Sequence, residues 1–183
     1  MPQRRAVFLD RDGTLIKAIA RPGFDKMTAP FSMNELEFDP DVDLAMKIIS
    51  DLGYLRIITT NQPDVAYGHV SEEEWTKIHE AVLARVQPDD CFMCRHTREA
   101  GCPMKKPNPG MLIAAADKWN IDLSHSYIIG DTYADVSAGY KAGCNTIILE
   151  RPYNHDSTVI ATCRVTRLLA AANHLKMLDE YGV

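Results

Sequence analysis

The sequence predicts an α/β fold with a doubly wound, mainly parallel sheet and helices on both faces. Three observations carry this expectation. Short β-rich apolar runs recur along the chain, amphipathic stretches of helical length separate them, and the residues suited to chemistry stand where the apolar runs give out. Alternation of this kind implies right-handed βαβ crossovers, and in such sheets ligands bind at the carboxyl ends of the strands.

Four runs read as buried strands: Ala6 to Leu9, Leu55 to Thr59, Tyr127 to Ile129 and Thr146 to Leu149. Asp39-Pro40 offers an N-cap and a proline at the first helical position ahead of Val42 to Leu52, which Gly53 can close. Ser71 followed by Glu74 is a capping-box pattern opening a helix expected to reach Val86. A third helix follows Pro109, with Met111, Leu112, Ala115 and Ala116 facing inward. A fourth covers Tyr133 to Lys141 and stops at Gly143. The last, Arg164 to Tyr181, buries Leu168, Leu169, Ala172, Leu175 and Leu178. Lys17 to Glu37, with Pro22, Gly23 and Pro30, lacks a period and reads as a long loop over the same end of the sheet, a length that favours a functional role.

A chain of 183 residues fits one domain, 1–183. Its formal net charge of -5 supplies no general attraction for nucleic acid or an anionic membrane, so a small anionic substrate needs locally placed cations. Ala6 to Leu9 is too short for a signal-peptide core and no run approaches a membrane span, so the expectation is a cytoplasmic monomer. Cys91, Cys94 and Cys102 crowd together out of five cysteines, which in a reducing compartment points to metal or plain packing rather than disulfides. Cys144 and Cys163 read as small buried hydrophobes, Trp75 and Trp119 as packing residues, and His69, His125, His155 and His174 as surface or loop residues.

Phe8-Leu9-Asp10-Arg11-Asp12-Gly13-Thr14 sets two carboxylates two residues apart where a buried strand ends, so both can face one pocket. Alone, Asp-x-Asp reads equally well as an acidic turn. The other strand ends decide between the two. Thr59-Thr60-Asn61 brings hydroxyls and a carboxamide to a second end, Gly130-Asp131 brings an acid to a third, and Asp135 follows one helical turn later. Lys105-Lys106 supplies cations just before a helix. Asp10, the backbone carbonyl of Asp12 and Asp131 answer the oxygen preference of octahedral Mg²⁺, with Asp135 standing behind them.

At these positions the chain resembles the haloacid dehalogenase superfamily of phosphohydrolases, whose four motifs are matched in order by Asp10-Arg11-Asp12-Gly13-Thr14, Thr60, Lys106, and Gly130-Asp131 with Asp135. The resemblance implies a Rossmann-like fold in which Asp10 is the nucleophile, Asp12 the acid/base, and Thr60 and Lys106 the groups holding phosphoryl oxygens. Thr60-Asn61-Gln62 and Lys105-Lys106-Pro107-Asn108-Pro109-Gly110-Met111 are similar to the group containing D,D-heptose 1,7-bisphosphate and histidinol-phosphate phosphatases, which lack a large cap domain. A heptose bisphosphate or related sugar phosphate is the substrate this implies, with Asn61 and Lys105 also at the substrate and histidinol phosphate as the alternative. A non-catalytic phosphate-binding protein is the reading from another class, and a phosphomutase would need a cap for which there is no room.

That group often carries a zinc loop of Cys-x-His followed by Cys-x-Cys. Here Cys94-Arg95-His96 and Cys102-Pro103-Met104 supply three competent ligands, and the fourth position has become a thioether. Either Cys91 completes a structural Zn²⁺ site with Cys94, His96 and Cys102, or the loop has decayed to free thiols. Lys105, Pro63-Asp64 and Tyr67 stand where the resemblance leads one to expect arginine, Ser-Gly and arginine, and these departures bear on the substrate.

Overall fold

The computed structural model describes residues 2–154 and 159–182, so His155 lies outside the described residues. In chain order the elements are β1 (Ala6–Leu9), α1 (Val42–Asp51), β2 (Leu55–Asn61), α2 (Glu72–Val86), β3 (Asp90–Cys94), α3 (Gly110–Trp119), β4 (Tyr127–Gly130), α4 (Tyr133–Ala142), β5 (Asn145–Leu149), β6 (Cys163–Val165) and α5 (Leu168–Tyr181). The strands form one sheet in the order β3-β2-β1-β4-β5-β6, and every pairing is parallel. Both faces are covered. One carries α1, α5 and the inner side of α2 on Val7, Leu9, Ile58, Ile129 and Ile147; the other carries α3 and α4 on Ala6, Phe8, Ile57 and Ile128. Burial on both sides is why β1 reads as continuous Ala-Val-Phe-Leu instead of alternating with polar residues.

Local signals account for most element ends. The Ser71 hydroxyl accepts from the Glu74 amide at 3.2 Å, which starts α2. Gly143, at φ +81°, takes the left-handed position that ends α4. Two short strands depart from the sequence expectation. β3 pairs with β2 from Ile57↔Asp90 to Asn61↔Cys94, and β6 pairs with β5 from Ile147↔Cys163 to Leu149↔Val165. The last helix therefore begins at Leu168, four residues after the expected Arg164. The first helix begins at Val42 as expected, and Asp39 closes the turn ahead of it: one carboxylate oxygen accepts from the Asp41 amide at 3.0 Å and the other from Arg151 at 2.9 Å.

No large cap interrupts the sheet. The interval after β1 is a folded loop, closed at its base by the Ile16↔Phe38 bridge and stiffened by Ile19↔Thr28. Arg21 reaches across it to Thr28 and Glu35 and lies over the Phe31 ring. Among the described residues no helix is long and apolar enough to cross a membrane.

Candidate active site

From β1 the chain winds one way to β2 and β3, and from β4 the other way to β5, so a crevice opens at the carboxyl ends of β1 and β4. Asp10 and Asp131 flank that crevice. The Asp10 amide donates to the Ile129 carbonyl at 3.0 Å, which carries the pairing one residue past the strand and fixes the backbone under the carboxylate. Lys106 enters from the loop before α3. Its buried ammonium donates to Asp10 Oδ1 at 2.8 Å, to the Thr59 carbonyl at 2.7 Å and to Asp135 Oδ1. Burial opposes charge on Lys106, but Asp10 and Asp135 outweigh it and push its pKa up.

Three carboxylates crowd the same spot: oxygen atoms of Asp10, Asp131 and Asp135 all lie within 4.8 Å of one another. Burial raises the pKa of Asp10 despite the neighbouring Lys106, and it raises Asp131 to about 7, with Asp135 adding to the effect and the Tyr153 hydroxyl opposing it. Close approach of backbone requires glycine twice here. A Cβ on Gly13, at φ +92°, would stand 2.3 Å from Asp131 Oδ2, and one on Gly130 would stand 2.3 Å from the Asp135 carboxyl carbon.

Asp12 lies beside this cluster, paired with the buried Arg11, whose Nη2 donates to Asp12 Oδ1 at 3.0 Å. Gln62 donates to the other Asp12 oxygen at 2.5 Å and to the Thr60 hydroxyl at 2.8 Å. The two candidate catalytic carboxylates, a cation and a hydroxyl thus meet at the ends of β1 and β2.

A family profile described as HAD-hydrolase-like matches residues 103–160. The chain is 32% identical over 154 residues to the D-glycero-beta-D-manno-heptose-1,7-bisphosphate 7-phosphatase of Rhodopseudomonas palustris, covering 78% of this chain and 81% of that one. It is 31% identical over 150 residues to the D-glycero-alpha-D-manno-heptose-1,7-bisphosphate 7-phosphatase of Campylobacter jejuni, covering 79% and 81%. The solved D,D-heptose 1,7-bisphosphate phosphatase from B. bronchiseptica, in complex with magnesium and phosphate, superposes with a TM-score of 0.79 at 25% identity, covering 94% of this chain and 98% of that one. The chain belongs to the haloacid dehalogenase-like phosphatases.

In this phosphatase the acidic cluster suits a hard divalent cation. Asp131 Oδ1 is buried and has no hydrogen-bond partner, while Oδ2 accepts from Tyr153 at 2.6 Å, so one oxygen is held and the other is free to ligate. Asp135 is differently placed: Oδ1 accepts from Lys106, and Oδ2 accepts from the Thr132 amide at 3.0 Å and from its hydroxyl. Its oxygens are occupied before any ion arrives.

Two residues expected at the substrate have other partners in this phosphatase. Asn61 exchanges hydrogen bonds with the Lys106 backbone, donating to its carbonyl at 2.9 Å and accepting from its amide at 3.0 Å, so it braces the lysine loop. Lys105 donates to the His96 carbonyl at 2.9 Å. Tyr67 donates to Glu99 and accepts from the Arg98 amide, and its ring lies near His69, against which Phe24 and Phe31 of the long loop pack.

The cysteine assignment needs correction. Cys94, His96 and Cys102 cluster within 4.8 Å, but Cys91 does not join them. Cys91 and Cys94 both lie on β3, three residues apart, so they project from opposite faces of the sheet. Cys91 packs against the core beneath α1, α2 and α5, and Cys94 against the core beneath α3 and α4. Burial pushes the Cys91 thiol up to about 11 and raises the Cys94 thiol as well, so the face of β3 is what separates the two.

Gln62, Arg11 and Tyr153 are parts of the site that the sequence reading missed. The local signals were the position of Gln62 directly after Thr60-Asn61 and that of Arg11 between Asp10 and Asp12. Trp75, read as packing, is mostly buried but also donates its indole N–H to Gln62 at 3.0 Å.

Proposed function

We propose that this phosphatase releases phosphate from a small sugar phosphate, a heptose 1,7-bisphosphate being the compound its relatives name, through an aspartyl phosphate on Asp10. The observation that carries the reading is the buried Lys106 ammonium on Asp10 Oδ1, the arrangement that allows a carboxylate to meet a phosphate dianion. Asp10 attacks phosphorus, the ester P–O bond breaks, and Asp12 gives a proton to the departing oxygen. Water then attacks the aspartyl phosphate, Asp12 takes its proton back, and phosphate leaves with Asp10 restored. Thr60 and Lys106 hold phosphoryl oxygens. Asp10, the Asp12 carbonyl and Asp131 would hold Mg²⁺, which when bound supplies positive charge against the phosphate oxygens. Asp135 acts through Lys106 and Thr132.

Cys94, His96 and Cys102 would supply three of the four ligands of a structural Zn²⁺, bracing the segment that presents Lys105 and Lys106. A phosphate-release screen including heptose 1,7-bisphosphate and histidinol phosphate tests the substrate. Asp10→Asn is expected to abolish turnover, because an amide is not a nucleophile, and Asp12→Asn to lower it by about 10² to 10⁴-fold. Substantial activity in pure Asp10→Asn protein would overturn the aspartyl-phosphate mechanism.

A further inference from the structure

Gln62 follows the last residue of β2 and is completely buried. The orientation of its amide is chemically fixed: the Trp75 indole nitrogen can only donate, so the atom 3.0 Å from it must be the amide oxygen. Both N–H groups therefore face the other way, one to Asp12 Oδ2 at 2.5 Å and one to the Thr60 hydroxyl at 2.8 Å. Three side chains thus take both donors and one acceptor lone pair of one buried amide. The Thr60 oxygen, already accepting from Gln62, keeps its own proton to donate elsewhere.

We propose that Gln62 is a positioning residue that registers the acid/base carboxylate of Asp12 against the phosphate-holding hydroxyl of Thr60. The inference rests on the roles given to Asp12 and Thr60 above. Asp12 comes from the end of β1 and Thr60 from β2, and the two must act on different oxygens of one phosphoryl group. Their relative placement depends on a rigid link between the strand ends, and small misplacements of a reacting group are costly in rate. Gln62 provides that link, and Trp75 keeps it from rotating. Arg11 holds the same carboxylate, its Nε and Nη2 donating to Asp12 at 3.0 to 3.3 Å, and shares Oδ2 with Gln62. Without Gln62 the carboxylate keeps only the guanidinium of its own neighbour in sequence and loses its tie to the end of β2.

The test is Gln62→Met, an unbranched replacement that keeps the volume and removes the amide. Pre-steady-state phosphoryl transfer is measured with heptose 1,7-bisphosphate, whose alkoxide needs a proton as it leaves, and with p-nitrophenyl phosphate, whose phenolate does not. The expected result is a loss of about 10- to 100-fold in transfer from the sugar phosphate, the scale of a hydrogen bond to a charged group. KM should stay within about threefold and transfer from the aryl phosphate should fall far less. Equal losses for both substrates, or no loss for either, would overturn the proposal. A measurement on wild type stands even if the variant does not fold. The two side-chain amide protons of Gln62 should give distinct, slowly exchanging NMR signals that move in Asp12→Asn; a single, freely exchanging amide would also overturn it. If Asp12→Asn keeps full activity, the acid/base role itself has failed; if Asp12→Asn is inactive while Gln62→Met is normal, only the positioning role has.

Discussion

Lys106 Nζ sits 2.8 Å from Asp10 Oδ1 with both side chains almost wholly out of solvent, so the buried ammonium offsets the charge of that carboxylate within the fold itself. Replacing it with methionine leaves Asp10 and Asp135 buried without their counter-charge. Breaking a buried pair from one side costs on the order of 3 to 5 kcal/mol. Lys106→Met is therefore expected to lose catalysis and to melt well below wild type in chelator. A melting temperature unchanged in chelator would show that the pair does not support the fold.

Magnesium affinity should depend on pH. Burial has raised the pKa of Asp10 and has brought Asp131 from an ordinary 3.8 to about 7, so protons compete with the ion below neutrality. The sign follows from the raised values. In chelator these groups favour the fold at low pH, and that contribution is lost as pH rises through the folded-state pKa. Bound Mg²⁺ reverses this by favouring the ionised forms. The difference in melting temperature with and without Mg²⁺ should grow from pH 5.5 to pH 8; a difference independent of pH would refute the competition.

Tyr153 holds Asp131 Oδ2 and so leaves Oδ1 for the ion. Tyr153→Phe keeps the ring and deletes the donor. Loss of such an outer hydrogen bond typically weakens metal binding by about 10- to 100-fold. Titration of activity with Mg²⁺ should show that shift with little change in the rate at saturation. An unaltered Mg²⁺ dependence would remove Tyr153 from the metal site.

For zinc the expectation follows the faces of β3. Elemental analysis should find Zn²⁺ in wild type, less in Cys94→Ser and Cys102→Ser, and an unchanged amount in Cys91→Ser. A zinc-free wild type would mean that the cluster holds no metal.

Most of the sheet was legible because its central strands are unbroken apolar runs that end on polar residues, and α2 was legible because Ser71 and Glu74 sit at capping distance in sequence. β6 was hidden by its length of three residues, too few to show a period. β3 was hidden by its cysteines, whose spacing suggests a metal half-site when the strand is not seen. At the site, Asp10, Lys106 and Asp131 stand in recognisable local patterns. Gln62 follows Thr60-Asn61 in sequence, but its partners are not legible there, since Asp12 lies fifty residues before it and Trp75 thirteen after it. Tyr153 likewise meets Asp131 only through the fold, across twenty-two residues of chain.

β1 is paired on both sides, whereas the folded loop before α1 and the segment after β3 hang from it and from the margin of the sheet. Phe24 belongs to the first of these, Glu99 to the second and Tyr67 to the connection between β2 and α2, and none of their contacts described above is with Asp10, Lys106 or Asp131. Such a layout makes the molecule evolvable: these outer stretches can be rewritten for a new leaving group so long as the end of the β3–α3 segment, which carries Lys106 to Asp10, is kept.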